Sequence, residues 1–149
     1  LYRAEIDVHY ARFKDLGRTD AFAELDNTTF DEHGNVTHIG TNQIGRYAFH
    51  LHHLVGPEDG LPSGYQYRVV GNTSDGGRRW GFVCHNTHYG LVQDNVACDI
   101  DGSAYVTQDG SETGNKFIRN FAMRIIGTGI DGEEGIEEND FAGGGSGFW

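Results

Sequence analysis

Two segments of the chain repeat each other at a fixed distance, and this repeat restricts the fold more than any other feature. In VVGNTSDGGRRWGFVCHN and LVQDNVACDIDGSAYVTQD, Asn72 aligns with Asn95 and Phe82 aligns with Tyr105, in both cases at an offset of 23 residues. The matched positions lie in short runs typical of strands, separated by turns rich in glycine, aspartate and asparagine. A repeat of this length is typical of a solenoid, in which each coil stacks on the next.

Further matches extend the repeat in both directions. Asn120 follows Asn95 by 25 residues, and RYAFHLHH aligns with RWGFVCHN at an offset of 33 residues, where GPEDGLPSGY fits as an extra loop. Asparagines that recur in this way can form a ladder, because each amide bonds to the coils above and below it. We therefore predict an all-β chain folded as a right-handed parallel β-helix with coils of about 23 residues. A β-sandwich with accidental internal similarity is the alternative.

The length and the cysteines suggest how the chain is organised. Its 149 residues fit one domain, and we expect residues 1–149 to form a single β-helix segment of a larger protein. Flanking coils of the parent chain or neighbouring subunits would then cover its open strand edges. We expect residues 130–146, which are acidic and rich in glycine, to form a loop between coils. Cys84 and Cys98 fall in different columns of the repeat, which favours two separate thiols over a disulfide.

The charge and the hydrophobicity of the chain exclude two classes of partner. Twenty-two acidic residues against eleven basic ones give a net charge of -11. A net negative charge of this size repels polyanions, so we expect no nucleic-acid binding. The chain has no apolar run long enough to span a bilayer, so we expect no membrane insertion by this segment.

Histidines concentrate on one predicted face of the solenoid. Alternation along RYAFHLHH turns Phe49 and Leu51 towards the core and His50 and His52 outwards. The same alternation in the next coil turns Phe82 and Cys84 inwards and Val83 and His85 outwards. His52 and His85 then stack about one strand spacing apart, roughly 4.8 Å. His53 follows the strand end and aligns instead with Asn86 and Asp109.

Imidazoles held at strand spacing can share a divalent ion with a carboxylate. We predict a site for zinc or calcium with the following ligands: His50, His52, His85, His88 and Asp109. His85 and Asp109 are also the candidate proton-transfer groups, and Arg46 and Arg79 are candidates to orient a substrate carboxylate. The alternative is structural, because stacked polar side chains on a solenoid surface can serve only to bond to one another.

Three stretches resemble a known family. GRYAFHLHHLVG, CHNTHYGLVQDNVACDIDG and SAYVTQDGSETGN are similar, in order, to the central β-helix of the family that contains cell-migration-inducing hyaluronidase, cell-surface hyaluronidase, the fibrocystin-like proteins and bacterial relatives. The resemblance is close from residue 45 to residue 120. It implies a parallel β-helix in an extracellular or cell-surface protein, with a polysaccharide such as hyaluronan as the substrate class.

The resemblance also implies a set of polar positions, with two departures. The matching residues are His50, His52, His85, His88, Asp94, Asp99, Asp109 and Glu112. Ser103 stands where the family has a histidine, and Gln108 stands where it has a glutamate. Glutamine cannot transfer a proton and is a poor metal ligand, so a mechanism that needs this carboxylate is in doubt.

Two functional hypotheses follow. The first is a segment of a secreted or cell-surface glycan-active protein, with metal-dependent binding or cleavage of a hyaluronan-like polysaccharide. The second is a non-catalytic extracellular scaffold or adhesin, in which the histidine columns are structural. The histidine cluster favours the first hypothesis, and the two departures favour the second. Neither hydrolysis nor elimination is favoured by the residues.

Overall fold

The computed structural model describes residues 5–56, 64–127 and 145–149, and their regular structure is formed by short strands. In chain order they are β1 (Ile6–His9), β2 (Arg12–Leu16), β3 (Thr29–Phe30), β4 (Val36–His38), β5 (Phe49–His52), β6 (Tyr67–Val70), β7 (Thr73–Gly77), β8 (Phe82–His85), β9 (Gly90–Gln93), β10 (Val96–Asp101), β11 (Tyr105–Thr107), β12 (Lys116–Ile118) and β13 (Phe121–Ile126).

Most of these strands lie in three sheets that take one strand from each successive coil. The strand orders are β1-β6-β9-β12, β2-β7-β10-β13 and β5-β8-β11, and neighbours in all three sheets pair in parallel. This is the arrangement of a β-helix, so the all-β class and the stacking of parallel strands are confirmed. The sandwich alternative is wrong, because the sheets of a sandwich are antiparallel.

The pairing register follows the offsets read from the sequence. Phe82 pairs with Tyr105, and Phe49 pairs with Phe82, at the predicted offsets. Ile6 pairs with Tyr67 at a much larger separation. The first coil is longer because the antiparallel β3-β4 hairpin is inserted between β2 and β5. The repeat length therefore varies through insertions between strands, while the strands themselves stay in register.

The predicted asparagine ladder is present at the corner between the first two sheets. Asn72 and Asn95 are each 1% exposed. The Oδ1 atom of Asn95 accepts the backbone N–H of Asn72 at 2.8 Å, and Oδ1 of Asn120 accepts the backbone N–H of Asn95 at 3.0 Å. Each Nδ2 also donates to a carbonyl of the preceding coil, as Asn95 does to Val69 at 2.8 Å. The ladder thus satisfies buried backbone groups where the chain leaves one sheet for the next.

The residue before each ladder asparagine has a left-handed backbone conformation, and so does the residue before Ala11, which takes the equivalent corner position in the first coil and donates its N–H to Oδ1 of Asn72. The corner residues are Tyr10, Gly71, Asp94 and Arg119, with φ values of 56°, 70°, 55° and 51°. At Gly71 the turn also requires a residue without a side chain, because a Cβ there would lie 2.7 Å from the Tyr10 ring. The same two-residue corner is therefore used in each coil, with one left-handed residue followed by the ladder position.

The core fills the space enclosed by the three sheets. Its buried members are Leu51, Tyr67, Val69, Phe82, Cys84, Val92, Ala97, Ile100, Ala104 and Tyr105. The rings of Phe49, Phe82, Tyr105 and Phe148 form a stack that runs from the core to the exposed Phe148, with successive centroids 5.7, 5.2 and 4.8 Å apart. The inward orientation predicted for Phe49, Leu51, Phe82 and Cys84 is confirmed.

One outward position differs from the prediction. Val83 is fully buried, because it packs with Tyr47, Trp80 and Val106 in a second cluster on the outer side of β8 and β11. The outer face of this sheet is therefore apolar at one end, and its polar side chains are gathered at the other.

Four further expectations concern the two cysteines, the acidic loop, membrane insertion and the extent of the segment. Cys84 and Cys98 are both free, as predicted. Most of the predicted acidic loop, residues 130–146, lies outside the described residues. Among the residues that are described, no helix is long and apolar enough to cross a membrane. That residues 1–149 form a single segment stays a prediction.

Candidate metal centre

The polar end of the β5-β8-β11 sheet brings four imidazole rings together. His52 on β5 pairs in register with His85 on β8, and the two ring centroids are 4.6 Å apart. The ring of His50 lies 5.1 Å from that of His52 and parallel to that of His85 at 5.8 Å. Parallel pairing thus converts two sequence motifs 33 residues apart into one histidine cluster, as the alternation predicted.

His53 is the member of the cluster that the strand pattern missed. It follows the last residue of β5 and has a left-handed backbone, with φ of 56°. Its ring consequently lies flat on that of His52 at 4.0 Å and approaches the His85 ring to 4.8 Å. The available signal was its alignment with Asn86, since asparagine and histidine are among the residues most often left-handed. Asn86 is also left-handed, with φ of 44°.

Three of these histidines are candidates to supply nitrogen ligands to one metal ion. One ring nitrogen from each of His52, His53 and His85 lies within 4.8 Å of the others. Nitrogens bound to one tetrahedral zinc ion at about 2.1 Å are roughly 3.4 Å apart, so the rings must close by about 1.4 Å at most. The side chains of His52 and His53 are exposed and can rotate. Because the rings of His52 and His53 lie parallel, with an interplanar angle of 7°, one of them must also turn before both in-plane lone pairs point at one ion. The three residues fit a metal ion once that ring has turned.

Asp109 orients the third candidate ligand, His85. Its Oδ2 lies 3.1 Å from Nε2 of His85, so the Nε2–H of His85 donates to the carboxylate and Nδ1 keeps its lone pair. That Nδ1 is buried and has no hydrogen-bond partner among the described residues. A carboxylate that holds the N–H of a histidine in this way is the usual support for a metal ligand.

We expect Asp109→Asn to weaken zinc binding by about 10- to 100-fold, because the amide no longer holds His85 as strongly in the required tautomer. Competition with a chromophoric chelator measures the affinity. The exposed Asp31, in the turn between β3 and β4, offers the matched control Asp31→Asn. Equal affinities for the Asp109→Asn variant and the parent protein would contradict a supporting role for Asp109.

His50 is held as a neutral side chain beside the three candidate ligands. Its Nδ1–H donates to the carbonyl of Gly45 at 2.8 Å, and its Nε2 is buried. Burial is the main reason that the pKa of His50 falls from 6.5 to about 4. The pKa of His52 is also lowered, first by partial desolvation and then by the neighbouring His53. At neutral pH both rings therefore offer a lone pair, as a metal site requires.

The lowered pKa of His50 predicts how the stability of the metal-free protein changes with pH. Between pH 6.5 and about 4 the unfolded chain binds a proton at His50 that the folded chain does not. The free energy of unfolding should therefore decrease as the pH falls through this window. His50→Gln should make that decrease shallower, which melting temperatures measured from pH 7 to pH 4 would show. His33→Gln, at an exposed turn position, is the control, and parallel curves for His50→Gln and the parent would contradict the assignment.

His88 and Glu112 hold the surrounding loops in place. Nδ1 of His88 accepts the backbone N–H of Thr113 at 2.9 Å, and its Nε2 lies 3.3 Å from Oδ1 of Asn86. Both ring nitrogens are thus engaged, and the structure does not bring His88 into the ligand set. Oε1 of Glu112 accepts the backbone N–H groups of Asn86 and Asp109 at 2.8 and 3.2 Å. Glu112 therefore positions the turn that carries Asp109.

The two candidate arginines have different surroundings although they align in the repeat. Arg79 is only 3% exposed, and its guanidinium lies 5.5 Å from the centre of the Trp80 ring. A polymer in solution cannot reach it there. Arg46 is exposed. The structure therefore leaves Arg46, and not Arg79, available to a substrate carboxylate.

Two further positions that match the family are used to link coils. Asp94 accepts two bonds from Arg119, both at 2.7 Å. Asp99 is paired in the same bidentate way with Arg124. Each pair joins residues that lie 25 positions apart in consecutive coils. Neither carboxylate belongs to the histidine cluster.

The fold and the site together define a parallel β-helix protein with a histidine cluster on one outer face. A family model described as CEMIP beta-helix matches residues 22–149, and the chain belongs to this family. Fibrocystin-L from Mus musculus and fibrocystin-L from Homo sapiens are each 33% identical to it over 95 residues. The match covers 63% of this chain and about 2% of the length of these relatives. No solved structure matches the chain significantly.

Proposed function

We propose that this chain is part of an extracellular β-helix protein that binds a first-row transition metal and acts on an acidic polysaccharide. The observation that supports it best is the histidine cluster, in which His52, His53 and His85 offer nitrogens within 4.8 Å of one another. Imidazole nitrogen suits zinc, whereas calcium takes oxygen ligands. The proposal therefore narrows the metal to zinc or a similar ion. The family membership supports the extracellular location.

The ligand count of the proposed site is that of a catalytic metal. Three protein ligands leave a fourth position open, and a bound zinc ion would polarise a substrate oxygen or lower the pKa of a water molecule. Within the chain, Asp109 would orient His85 and is the exposed carboxylate available for proton transfer. Arg46 would attract the carboxylate of the sugar, against a net charge of -11 that otherwise repels a polyanion.

A non-catalytic scaffold is the second candidate, and the ion pairs between coils favour it. Asp94 and Asp99, which match polar positions of the family, form ion pairs with Arg119 and Arg124. Gln108 cannot supply the carboxylate that the family carries at its position. A β-helix whose coils are joined by ion pairs, and which has glutamine in place of the family's glutamate, would suit an adhesin or a rigid scaffold. In both candidates, the right-handed sense and the regular coil of about 23 residues stay predictions.

Two measurements on the full protein separate these candidates. Zinc binding is measured first by competition with a chromophoric chelator, and hyaluronan chain length is then followed with and without excess chelator. Binding and chelator-sensitive cleavage, both lost in His85→Ala and kept in His88→Ala, would support the enzyme. Binding without cleavage would favour the scaffold. If the protein binds no zinc, or cleaves equally with chelator and as His85→Ala, the proposed metal function is wrong.

A further inference from the structure

The inserted hairpin contains a three-residue motif that the metal site does not use. Residues 35–37, Asn-Val-Thr, have the form N-x-T, which is the acceptor motif for N-linked glycans in secreted proteins. The same form occurs at residues 27–29, and the related N-x-S form occurs at residues 72–74. Asn35 is exposed, whereas Asn72 is buried, so the motif at Asn72 serves as an internal comparison for the motif at Asn35.

Asn35 lies where a glycan can be attached without disturbing the fold. It is in the exposed turn that joins β3 to β4, and every residue from 29 to 39 is exposed. Its backbone N–H donates to Oδ1 of Asp31 at 2.8 Å, and its Nδ2 donates to Oδ2 of the same residue at 2.9 Å. The hairpin forms its own two-stranded sheet, apart from the three parallel sheets. A sugar at this position would extend into solvent.

Asn72 shows the opposite case. Its side chain is buried in the asparagine ladder, where Nδ2 donates to the carbonyl of Val8 at 2.9 Å and to Oδ1 of Asn95 at 3.1 Å. Both amide hydrogens are used and no space is open around them. A glycan on Nδ2 would remove one of these bonds and separate two coils, so the native β-helix excludes it.

The hairpin surface supplies a second observation. Its exposed side chains include the large apolar residues Phe30, Val36 and Ile39, at 61%, 53% and 77% exposure. Large apolar side chains grouped on an exposed hairpin promote association unless something shields them. A branched, hydrated glycan attached between β3 and β4 would screen these side chains from other molecules.

We propose that Asn35 carries an N-linked glycan. In the transfer, Nδ2 of Asn35 forms a bond to the first carbon of the sugar and loses one proton, while the bond from that carbon to the pyrophosphate of the lipid-linked donor breaks. The lipid pyrophosphate is the leaving group and takes up the proton. Nδ2 keeps its second hydrogen, so the bond to Asp31 can persist in the product. This inference rests on the extracellular location in the proposed function, and it is independent of the metal.

Expression of the full protein in animal cells, followed by mass spectrometry of peptides from the exported material, tests the inference. We expect the peptide with Asn35 to be glycosylated in the parent protein and in Thr37→Ser, which keeps the hydroxyl, but not in Thr37→Ala. The peptide with Asn72 should be unmodified. Exported, folded protein with no glycan at Asn35 would overturn the inference and leave the location intact. Protein retained in the cytosol would overturn both, and a glycan on Asn72 in folded protein would overturn the structural selection between the motifs.

Discussion

Asn95→Ala is expected to lower the free energy of unfolding by roughly 3–5 kcal/mol, because several buried groups lose their partners and each such loss costs about 1–3 kcal/mol. The groups affected are the backbone N–H of Asn72, the carbonyl of Val69 and Oδ1 of Asn120. The small alanine side chain also leaves a gap in a position that is 1% exposed. The melting temperature should fall by roughly 10–20 °C.

Thermal unfolding followed by circular dichroism measures this effect. Gln93→Ala is the matched control on the neighbouring strand, because the side chain of Gln93 bonds to Asp94 at the surface. We expect the control to change the free energy of unfolding by about 0.5 kcal/mol or less, as surface substitutions usually do. If Asn95→Ala unfolded at the same temperature as Gln93→Ala, the ladder would not stabilise the coil stack.

His85→Ala is expected to weaken zinc binding by more than about 100-fold, since loss of a ligand costs more than the 10- to 100-fold typical of a supporting residue. His85 is the candidate ligand that would join two coils, because it lies on β8 while His52 and His53 lie on or directly after β5. Its removal leaves two exposed imidazoles on one strand end, without the ligand that Asp109 orients. Competition with a chelator of known affinity measures the loss.

His88→Ala is the matched control for that experiment. His88 lies on the loop directly after β8, but its nitrogens bond to Thr113 and Asn86 and are not directed at an ion. The control should therefore bind zinc within about a factor of three of the parent, a difference well below the 10-fold effect of even a supporting residue. The thermal stabilisation that zinc gives should likewise persist in His88→Ala and vanish in His85→Ala. Equal losses in the two variants would place the metal elsewhere.

The parts of the fold encoded by recurring residue types could be predicted from the sequence. Asn72, Asn95 and Asn120 repeat because each satisfies the same backbone groups of the adjoining coil. Phe82 and Tyr105 repeat because their rings stack inside the coil, with centroids 5.2 Å apart. The pairing of His52 with His85 followed from the same offsets. In each case the residues that repeat along the sequence are also the residues that contact each other between adjacent coils.

The rest depends on surroundings that do not repeat. Arg46 and Arg79 align in sequence, yet Trp80 and neighbouring side chains bury only the second. His53 belongs to the cluster because one left-handed residue ends the alternation of β5, and strand periodicity cannot report such a break. His88 has a suitable residue type but is engaged by a loop from the next coil. Burial and backbone conformation, rather than residue type, decide which polar groups form the site.

The corners have the same length in every described coil, whereas the connections on the opposite side of the coil differ in length. In each coil the corner that carries the ladder has two residues: 10–11, 71–72, 94–95 and 119–120. The connections that follow β5, β8 and β11 have unequal lengths: 53–66, 86–89 and 108–115. An added residue at the corner would shift the left-handed position and break the ladder, whereas a longer connection alters only the border of the metal centre. Lengthening these loops would therefore change the surroundings of the candidate site, without any change to the stacked coils beneath them.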